Sequence, residues 1–161
     1  MGIVESTYAE LKQQELKNNP YSCLHMADID INPHQIEAFT FALSSLELGG
    51  AILADEVGLG KTIEAGLVIK YLLCSGKDKI LLIMPSNLRK QWQVELEEKF
   101  DIDSLIVDSS NWEDYLTKVK SKQAVIIVSY HFASKRKAEF GKIAWDFCVF
   151  DEAHRLRNVY K

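Results

Sequence analysis

Short apolar runs alternate along the chain with segments in which apolar residues recur every three or four positions. The runs predicted to be strands are 51–54 (AILA), 79–84 (KILLIM), 105–107 (LIV), 124–128 (AVIIV) and 147–150 (FCVF). The segments predicted to be helices are 33–46, 61–74, 86–100, 112–120 and 131–140. Nearly continuous apolar runs suit strands covered on both faces. The alternation therefore predicts an α/β fold, a parallel sheet with helices on both faces.

The first of these helices has a clear start, because Asn32 suits an N-cap and Pro33 the first helical position. Its expected apolar face consists of Ile36, Phe39, Leu43 and Leu46. Gln35 lies in the first turn, where spacing alone allows a solvated residue or a functional one. Residues 1–30 are expected to form an N-terminal helix and linker, and residues 31–161 the main domain.

Composition narrows the class of protein. The chain has 161 residues, 47% of them hydrophobic, which suits one folded domain rather than a disordered segment. No apolar run approaches the roughly 18 residues of a membrane span, and the three cysteines lack metal-ligand spacing. A cytoplasmic location is therefore expected. The net charge of −4 means that nucleic acid binding would depend on local basic clusters.

A glycine-rich turn follows the run 51–54 and precedes an amphipathic segment. Glycines let backbone N–H groups point inward, and together with a helix N-terminus these donors form a cradle for anions. The alternative is a turn that binds nothing. Lys61 is placed to reach the β- and γ-phosphates of a nucleotide, and Thr62 to hold magnesium. The residues predicted to bind the nucleotide here are Gly58, Leu59, Gly60, Lys61 and Thr62.

Two adjacent carboxylates, Asp151 and Glu152, directly follow the last apolar run. Burying them unpaired would be costly, whereas a divalent metal with its waters removes that cost. Asp151 is therefore predicted to hold magnesium, and Glu152 to orient the water that attacks the γ-phosphorus. The alternative is a strand-end turn with solvated acids. His154 is predicted to couple this site to a neighbouring element, with a plain surface histidine as the alternative.

Several of these segments should meet in space. Ligands of parallel sheets bind beyond the carboxyl ends of the strands. The phosphate loop, Pro85-Ser86, Ser129-Tyr130 and Asp151 all follow a predicted strand directly. A single functional edge is therefore expected.

These residues resemble the superfamily 2 helicases, and among them the Swi/Snf-type DNA translocases, most closely the bacterial members. The segments 54–69 (ADEVGLGKTIEAGLVI) and 151–158 (DEAHRLRN) look like the first and second motifs of that family. PHQ at 33–35 is similar to its adenine-reading motif, and the segments 81–92 and 128–135 look like the two that contact the nucleic acid backbone. The resemblance extends from about Pro33 to Asn158.

The resemblance implies the N-terminal RecA-like lobe of a P-loop NTPase that binds ATP and Mg²⁺ and, in the complete protein, acts on double-stranded DNA. It implies that Gln35 reads adenine. The residues it suggests for DNA contact are Ser86, Arg89, Lys90, Ser129, Lys135 and Arg136, although ordinary solvated surface is the alternative for each basic cluster.

The chain departs from the general phosphate-loop pattern at one position and from the family pattern after its last motif. Asp55 stands at a position where phosphate loops generally have glycine. Swi/Snf members also tend to carry an acid at this position. The third motif and the second RecA-like lobe, which supplies arginines to the γ-phosphate, do not follow. The chain alone should then bind nucleotide weakly and scarcely hydrolyse it. One central strand should be missing, leaving a gap, a partner chain in that gap, or a loose C-terminal strand, with self-association through exposed edges.

Two other functions remain open at this point. One is the motor of another DEAH-bearing enzyme, either a strand-separating helicase or a restriction translocase. The other is a stand-alone binding module whose nucleotide site is vestigial. Nucleotide binding separates the last from the first two, and the preference for duplex or single-stranded DNA separates the motors.

Overall fold

A computed structural model of the chain describes residues 19–22, 32–54, 60–118 and 124–158. The strands in these ranges are β1 (Lys79–Met84), β2 (Ser104–Ile106), β3 (Ala124–Ser129) and β4 (Phe147–Phe150). They form one sheet in the order β2-β3-β1-β4, and every pairing is parallel. The prediction of a parallel α/β sheet is confirmed.

The helices lie close to their predicted places. They are α1 (Pro33–Leu46), α2 (Lys61–Cys74), α3 (Arg89–Phe100), α4 (Trp112–Lys118), α5 (Tyr130–Lys135) and α6 (Lys137–Phe140), followed by a 3-10 helix at Ala153–Asn158. The single helix predicted over 131–140 is divided at Arg136, whose φ of −110° and ψ of 23° are not helical. No helix in the described ranges is both long and apolar enough to cross a membrane.

The chain divides into two compact units, Met1–Lys77 with Glu98–Asp101, and Asp78–Glu97 with Ile102–Lys161. In the first unit, Phe39 of α1 is fully buried and meets Tyr21 and Tyr71 edge to face. The buried positions of α1 are Gln35, Phe39, Ala42 and Ser45. The predicted apolar face was therefore wrong at Ile36, which is exposed, because the small Ala42 and Ser45 face the core instead.

The second unit contains the sheet, and both faces of its central strand are buried. Leu81 and Ile83 of β1 belong to a cluster with the aromatic residues of the following helices. That cluster includes Trp112, Tyr115, Phe132 and Phe140. Ile80, Leu82 and Met84 alternate with them on the opposite face and are fully buried. The almost wholly apolar sequence of β1 follows from this two-sided burial.

The strand predicted at 51–54 is not a strand in the structure. These residues belong to no ladder, and Ile52 is 86% exposed. A parallel strand needs a neighbour for its N–H and C=O groups, and apolar sequence alone does not provide one. β4 pairs with β1 and with no other described strand, so one of its edges is open within the described ranges. The missing central strand stays a prediction, because the last strand of any open sheet has such an edge.

Gly66 in the middle of α2 is required by close packing within the first unit. A Cβ added at Gly66 would lie 2.4 Å from the ring of Phe100, which is fully buried. The buried Lys70, one turn further along α2, donates from Nζ to the carbonyl oxygen of Phe100 at 2.6 Å. Both contacts hold the end of α3 against α2.

Replacing Gly66 with Ala should destabilise the chain by about 1–3 kcal/mol, because the added methyl group would overlap the buried Phe100 ring and force it to shift. Urea unfolding followed by circular dichroism measures this cost. In a Phe100→Leu background the same substitution should cost less, since the smaller side chain makes room for the methyl group. Equal costs in both backgrounds would contradict this packing explanation.

Tyr115 of α4 carries a buried hydroxyl that has no hydrogen-bond partner among the described residues. Its ring packs 5.6 Å from that of Trp112, between ring centroids. Burial raises the pKa of Tyr115 above its ordinary value, because the phenolate would have to leave water. The hydroxyl thus contributes a desolvation cost and no compensating bond.

Tyr115→Phe should leave stability at about pH 7 unchanged or raise it by up to about 1 kcal/mol. The unfolded tyrosine ionises near pH 10 while the folded one stays neutral, so the contribution of Tyr115 to stability falls as pH rises above about 10. The variant has no phenol to ionise at this position. The difference in stability between the variant and the wild type should therefore grow in favour of the variant between about pH 9 and about pH 11. Urea midpoints of both proteins across this range provide the measurement. A destabilised variant at neutral pH would show that the hydroxyl has a partner.

Candidate functional site

The described part of the predicted phosphate loop is its last glycine and the N-terminus of α2. Gly60 precedes the helix with φ 91° and ψ 35°, a left-handed conformation that favours glycine. Its carbonyl oxygen accepts from the N–H groups of Ile63 at 2.7 Å and Glu64 at 3.1 Å. Lys61 and Thr62 are then the first two helical residues, and both are partly buried. The predicted site residues Gly58 and Leu59 lie outside the described residues.

Gln35 lies directly against this glycine. Its side chain is 3% exposed, so the alternative of a solvated residue at the helix start is excluded. Gln35 Oε1 accepts from the backbone N–H of Asn32 at 3.0 Å. A Cβ on Gly60 would lie 2.7 Å from Gln35 Nε2, so the amide fills the space that a side chain would need. The structure therefore brings together Gln35, Gly60, Lys61 and Thr62.

Asp151 follows β4 in the second unit and is held at each of its polar groups. Its N–H donates to the carbonyl oxygen of Ile83 at 3.0 Å, which continues the ladder one residue past β4. Carboxylate Oδ2 accepts from Trp92 Nε1 at 2.9 Å, and Oδ1 accepts from the N–H of Glu152 at 2.8 Å. The hydroxyl of Tyr130 donates to its carbonyl oxygen at 2.8 Å. Sequence reasoning missed these donors, although a buried indole N–H generally needs an acceptor.

Glu152 has a left-handed backbone, with φ 55°, unusual for a residue other than glycine. Its exposed carboxylate lies 3.1 Å from His154, between Oε2 and Nδ1. The described contact of His154 is thus with the acid two residues earlier. Strained backbone of this kind is frequent at functional sites.

The Asp151 carboxylate has the chemistry of a magnesium ligand. No three His, Cys, Asp or Glu side chains are grouped as a metal-ligand set in the described ranges. Magnesium in nucleotide sites uses few protein ligands, one or two carboxylates or hydroxyls, with phosphate and water completing the shell. Asp151 Oδ1 and Oδ2 each accept one hydrogen bond from a described residue, and a carboxylate oxygen has room for a second. The Asp151 carboxylate of the second unit suits this chemistry, and so does the Thr62 hydroxyl in the first unit, each taken by itself.

The first segment suggested for DNA contact follows β1. Ser86 and Lys90 are exposed, and Lys90 Nζ donates to Gln93 Oε1 at 2.8 Å. The side chain of Arg89 is only 20% exposed and lies 3.8 Å from Asp108 Oδ2. Hydrogen bonds from Ser110 lower the pKa of Asp108, so the acid facing Arg89 stays ionised. Arg89 thus holds the start of α3.

The second segment follows β3. As in the first segment, one basic residue is engaged within the fold and another is exposed. Ser129 Oγ caps α5 by accepting from the N–H of Phe132 at 3.1 Å. Arg136 donates to Glu139 Oε1 at 2.9 Å, which holds the pKa of Glu139 below its ordinary value, and its guanidinium lies 5.5 Å from the centre of the Trp112 ring. Lys135 is exposed. Lys135 is therefore the basic side chain of this segment most open to a partner.

A family model for the SNF2-related domain matches residues 34–160. The chain belongs to the SNF2-related domain family. This confirms the resemblance to Swi/Snf-type superfamily 2 proteins.

Curated relatives of this SNF2-related domain include the RNA polymerase-associated protein RapA of two bacteria. The protein from Yersinia enterocolitica is 34% identical over 151 residues, and that from Yersinia pseudotuberculosis is 32% identical over 151 residues. Each alignment covers 89% of this chain and 16% of the relative, so the chain spans a small part of those proteins.

Among solved structures, the chain is similar to the SWI2/SNF2 ATPase core of Sulfolobus solfataricus in complex with dsDNA. The TM-score is 0.73, with 24% identity over 84% of this chain and 29% of that one. At this identity the likeness concerns the fold. The prediction that the SNF2-related domain has the fold of the first RecA-like lobe is confirmed.

Proposed function

We propose that this chain is the ATP-binding lobe of an ATP-dependent translocase that moves on double-stranded DNA. The observation that carries the proposal is the packing of Gln35 against Gly60 at the start of α2, in a member of the SNF2-related domain family. An amide beside Gly60 would suit adenine, and the N-terminus of α2 would suit phosphate. The Sulfolobus solfataricus core, with which this chain shares its fold, was solved on dsDNA.

Each site residue has a role in this proposal. Lys61 neutralises charge on the β- and γ-phosphates, and Gln35 reads adenine. Thr62 and Asp151 hold the magnesium ion. Bound magnesium supplies charge neutralisation at the phosphates. Glu152 orients the attacking water, and His154, which contacts Glu152, couples that residue to a neighbouring element.

The proposal also covers the domain boundaries and the nucleotide binding and turnover of the isolated chain. The ATP-binding lobe corresponds to residues 31–161, and most of the predicted N-terminal helix and linker, residues 1–30, lies outside the described residues. A second RecA-like lobe supplies arginines to the nucleotide, so the 161-residue chain by itself binds ATP weakly and scarcely turns over. The open edge of β4 allows self-association. We also propose a cytoplasmic location.

Lys61→Ala should weaken binding of ADP with magnesium at least tenfold, because the phosphates lose their principal cation. Calorimetry on the product of the complete reading frame that contains this chain measures the affinity. Glu152→Gln is the matched variant. It should bind ADP like the wild type and lose steady-state ATP hydrolysis by a factor of about 10² or more.

Two results would contradict these assignments. If the wild-type protein binds no ADP with magnesium, the site is vestigial and the chain is a binding module. If Glu152→Gln hydrolyses ATP at the wild-type rate, another group orients the water. Stimulation of hydrolysis by single-stranded but not duplex DNA would favour a strand-separating helicase.

The contacts described above reduce the number of side chains proposed to contact DNA directly. Ser86, Lys90 and Lys135 are exposed and would contact phosphates directly. Arg89, Ser129 and Arg136 are engaged within the fold and would hold these segments in shape. Exposed lysines act as point charges that release counterions from DNA.

Lys135→Ala should reduce the slope of log affinity against log salt concentration by about 1 on duplex DNA, and leave the urea midpoint unchanged. Arg136→Ala should lower the urea midpoint and leave the salt slope unchanged, since it removes the contacts with Glu139 and Trp112. Lys142→Ala, an exposed lysine outside both segments, serves as the charge control. Equal changes of slope for Lys135→Ala and Lys142→Ala would count against a specific surface.

A further inference from the structure

Two side chains from different helices meet at Asp151. Trp92 of α3 is 4% exposed, and its indole N–H donates to Asp151 Oδ2 at 2.9 Å. Tyr130, the first residue of α5, donates its hydroxyl to the Asp151 carbonyl oxygen at 2.8 Å. One bond therefore orients the carboxylate, and the other holds the backbone where the chain leaves β4.

The remaining bonds of Asp151 are local or belong to the sheet. Its N–H continues the ladder to Ile83, and Oδ1 accepts from the next residue, Glu152. Neither bond sets the direction of Oδ2 relative to the rest of the unit. Trp92 is the described side chain that does so, because its ring is fixed in the core. A charge-assisted bond to a rigid indole leaves the carboxylate little freedom to rotate.

Trp92 and Tyr130 also belong to the two segments that the proposed function assigns to DNA. Trp92 lies two positions after Lys90 on α3, and Tyr130 opens the helix that ends at Lys135. A displacement of either helix therefore moves a donor of Asp151 directly. Both contacts lie within the second compact unit.

We propose that Trp92 and Tyr130 are positioning residues that set the Asp151 carboxylate for magnesium and connect it to the two backbone-contact segments. The inference rests on the proposed function, because it assumes that Asp151 holds magnesium. Partners that orient a metal ligand without touching the metal typically change metal affinity or activity 10–100-fold when they are removed. A role in packing alone would change stability and leave magnesium dependence as it was.

The test compares binding of ADP at increasing magnesium concentration in the product of the complete reading frame, measured by calorimetry. Trp92→Phe should raise the magnesium concentration needed for half-maximal binding about tenfold, and leave ADP affinity without magnesium unchanged. Trp145→Phe is the matched control. It removes an indole N–H bond of 3.0 Å to the carbonyl oxygen of Phe140, away from Asp151.

Tyr130→Phe is a second variant, which keeps the ring and removes only the hydroxyl. It should shift magnesium dependence in the same direction, whereas Tyr115→Phe, which removes a hydroxyl without a described partner, should not. Urea midpoints of all four variants separate loss of folding from loss of magnesium affinity. DNA binding should lower the magnesium requirement of the wild-type protein, and do so less in Trp92→Phe.

The outcomes are distinct. Binding with wild-type magnesium dependence in both Trp92→Phe and Tyr130→Phe would overturn the positioning role and leave the proposed function standing. An equal shift in Trp145→Phe would also overturn it, because the effect would then be general. Absence of ADP binding in the wild-type protein at any magnesium concentration would overturn the proposed function and this inference together.

Discussion

Parallel pairing around β1 is the constraint on which the second unit depends. β1 has paired neighbours on both sides, and its side chains are buried on both faces, as is usual for parallel sheets. Because the strands are parallel, the carboxyl ends of β1, β3 and β4 lie at the same end of the sheet. The segments that follow them, which carry Trp92, Tyr130 and Asp151, can therefore reach one another. The hydrogen bonds at Asp151 are a consequence of strand direction.

In the first unit, the corresponding constraint is the close packing of side chains against two glycines. Gly60 permits a left-handed turn and leaves room for the Gln35 amide, while Gly66 lets α2 lie against the ring of Phe100. Lys70 adds a bond from α2 to the last carbonyl of α3. The start and the middle of α2 are thus both set by the absence of a Cβ. The helix that presents Lys61 and Thr62 is positioned by packing along its length as well as by its cap.

The basic residues suggested for DNA contact divide into those that hold the fold and those that are exposed. Arg89 and Arg136 each face an acid, and Arg136 also lies over an aromatic ring. Lys90 and Lys135, in the same two segments, are exposed. In both segments an arginine lies next to a lysine with the other role. The planar guanidinium suits fixed, stacked contacts, whereas lysine carries a mobile point charge.

Local sequence determined most of the elements, because apolar runs, caps and glycines act over a few residues. β1 and β4 occur at their predicted bounds, and Asp151 directly follows β4 as expected. Tertiary structure decided what depends on distant partners. Residues 51–54 have a strand-like sequence but no described neighbour to pair with, Gln35 is buried because Gly60 lies against it, and Asp151 is oriented by donors 59 and 21 positions away. A pattern of residues specifies which groups are available, whereas hydrogen-bond partners and burial are properties of the folded chain.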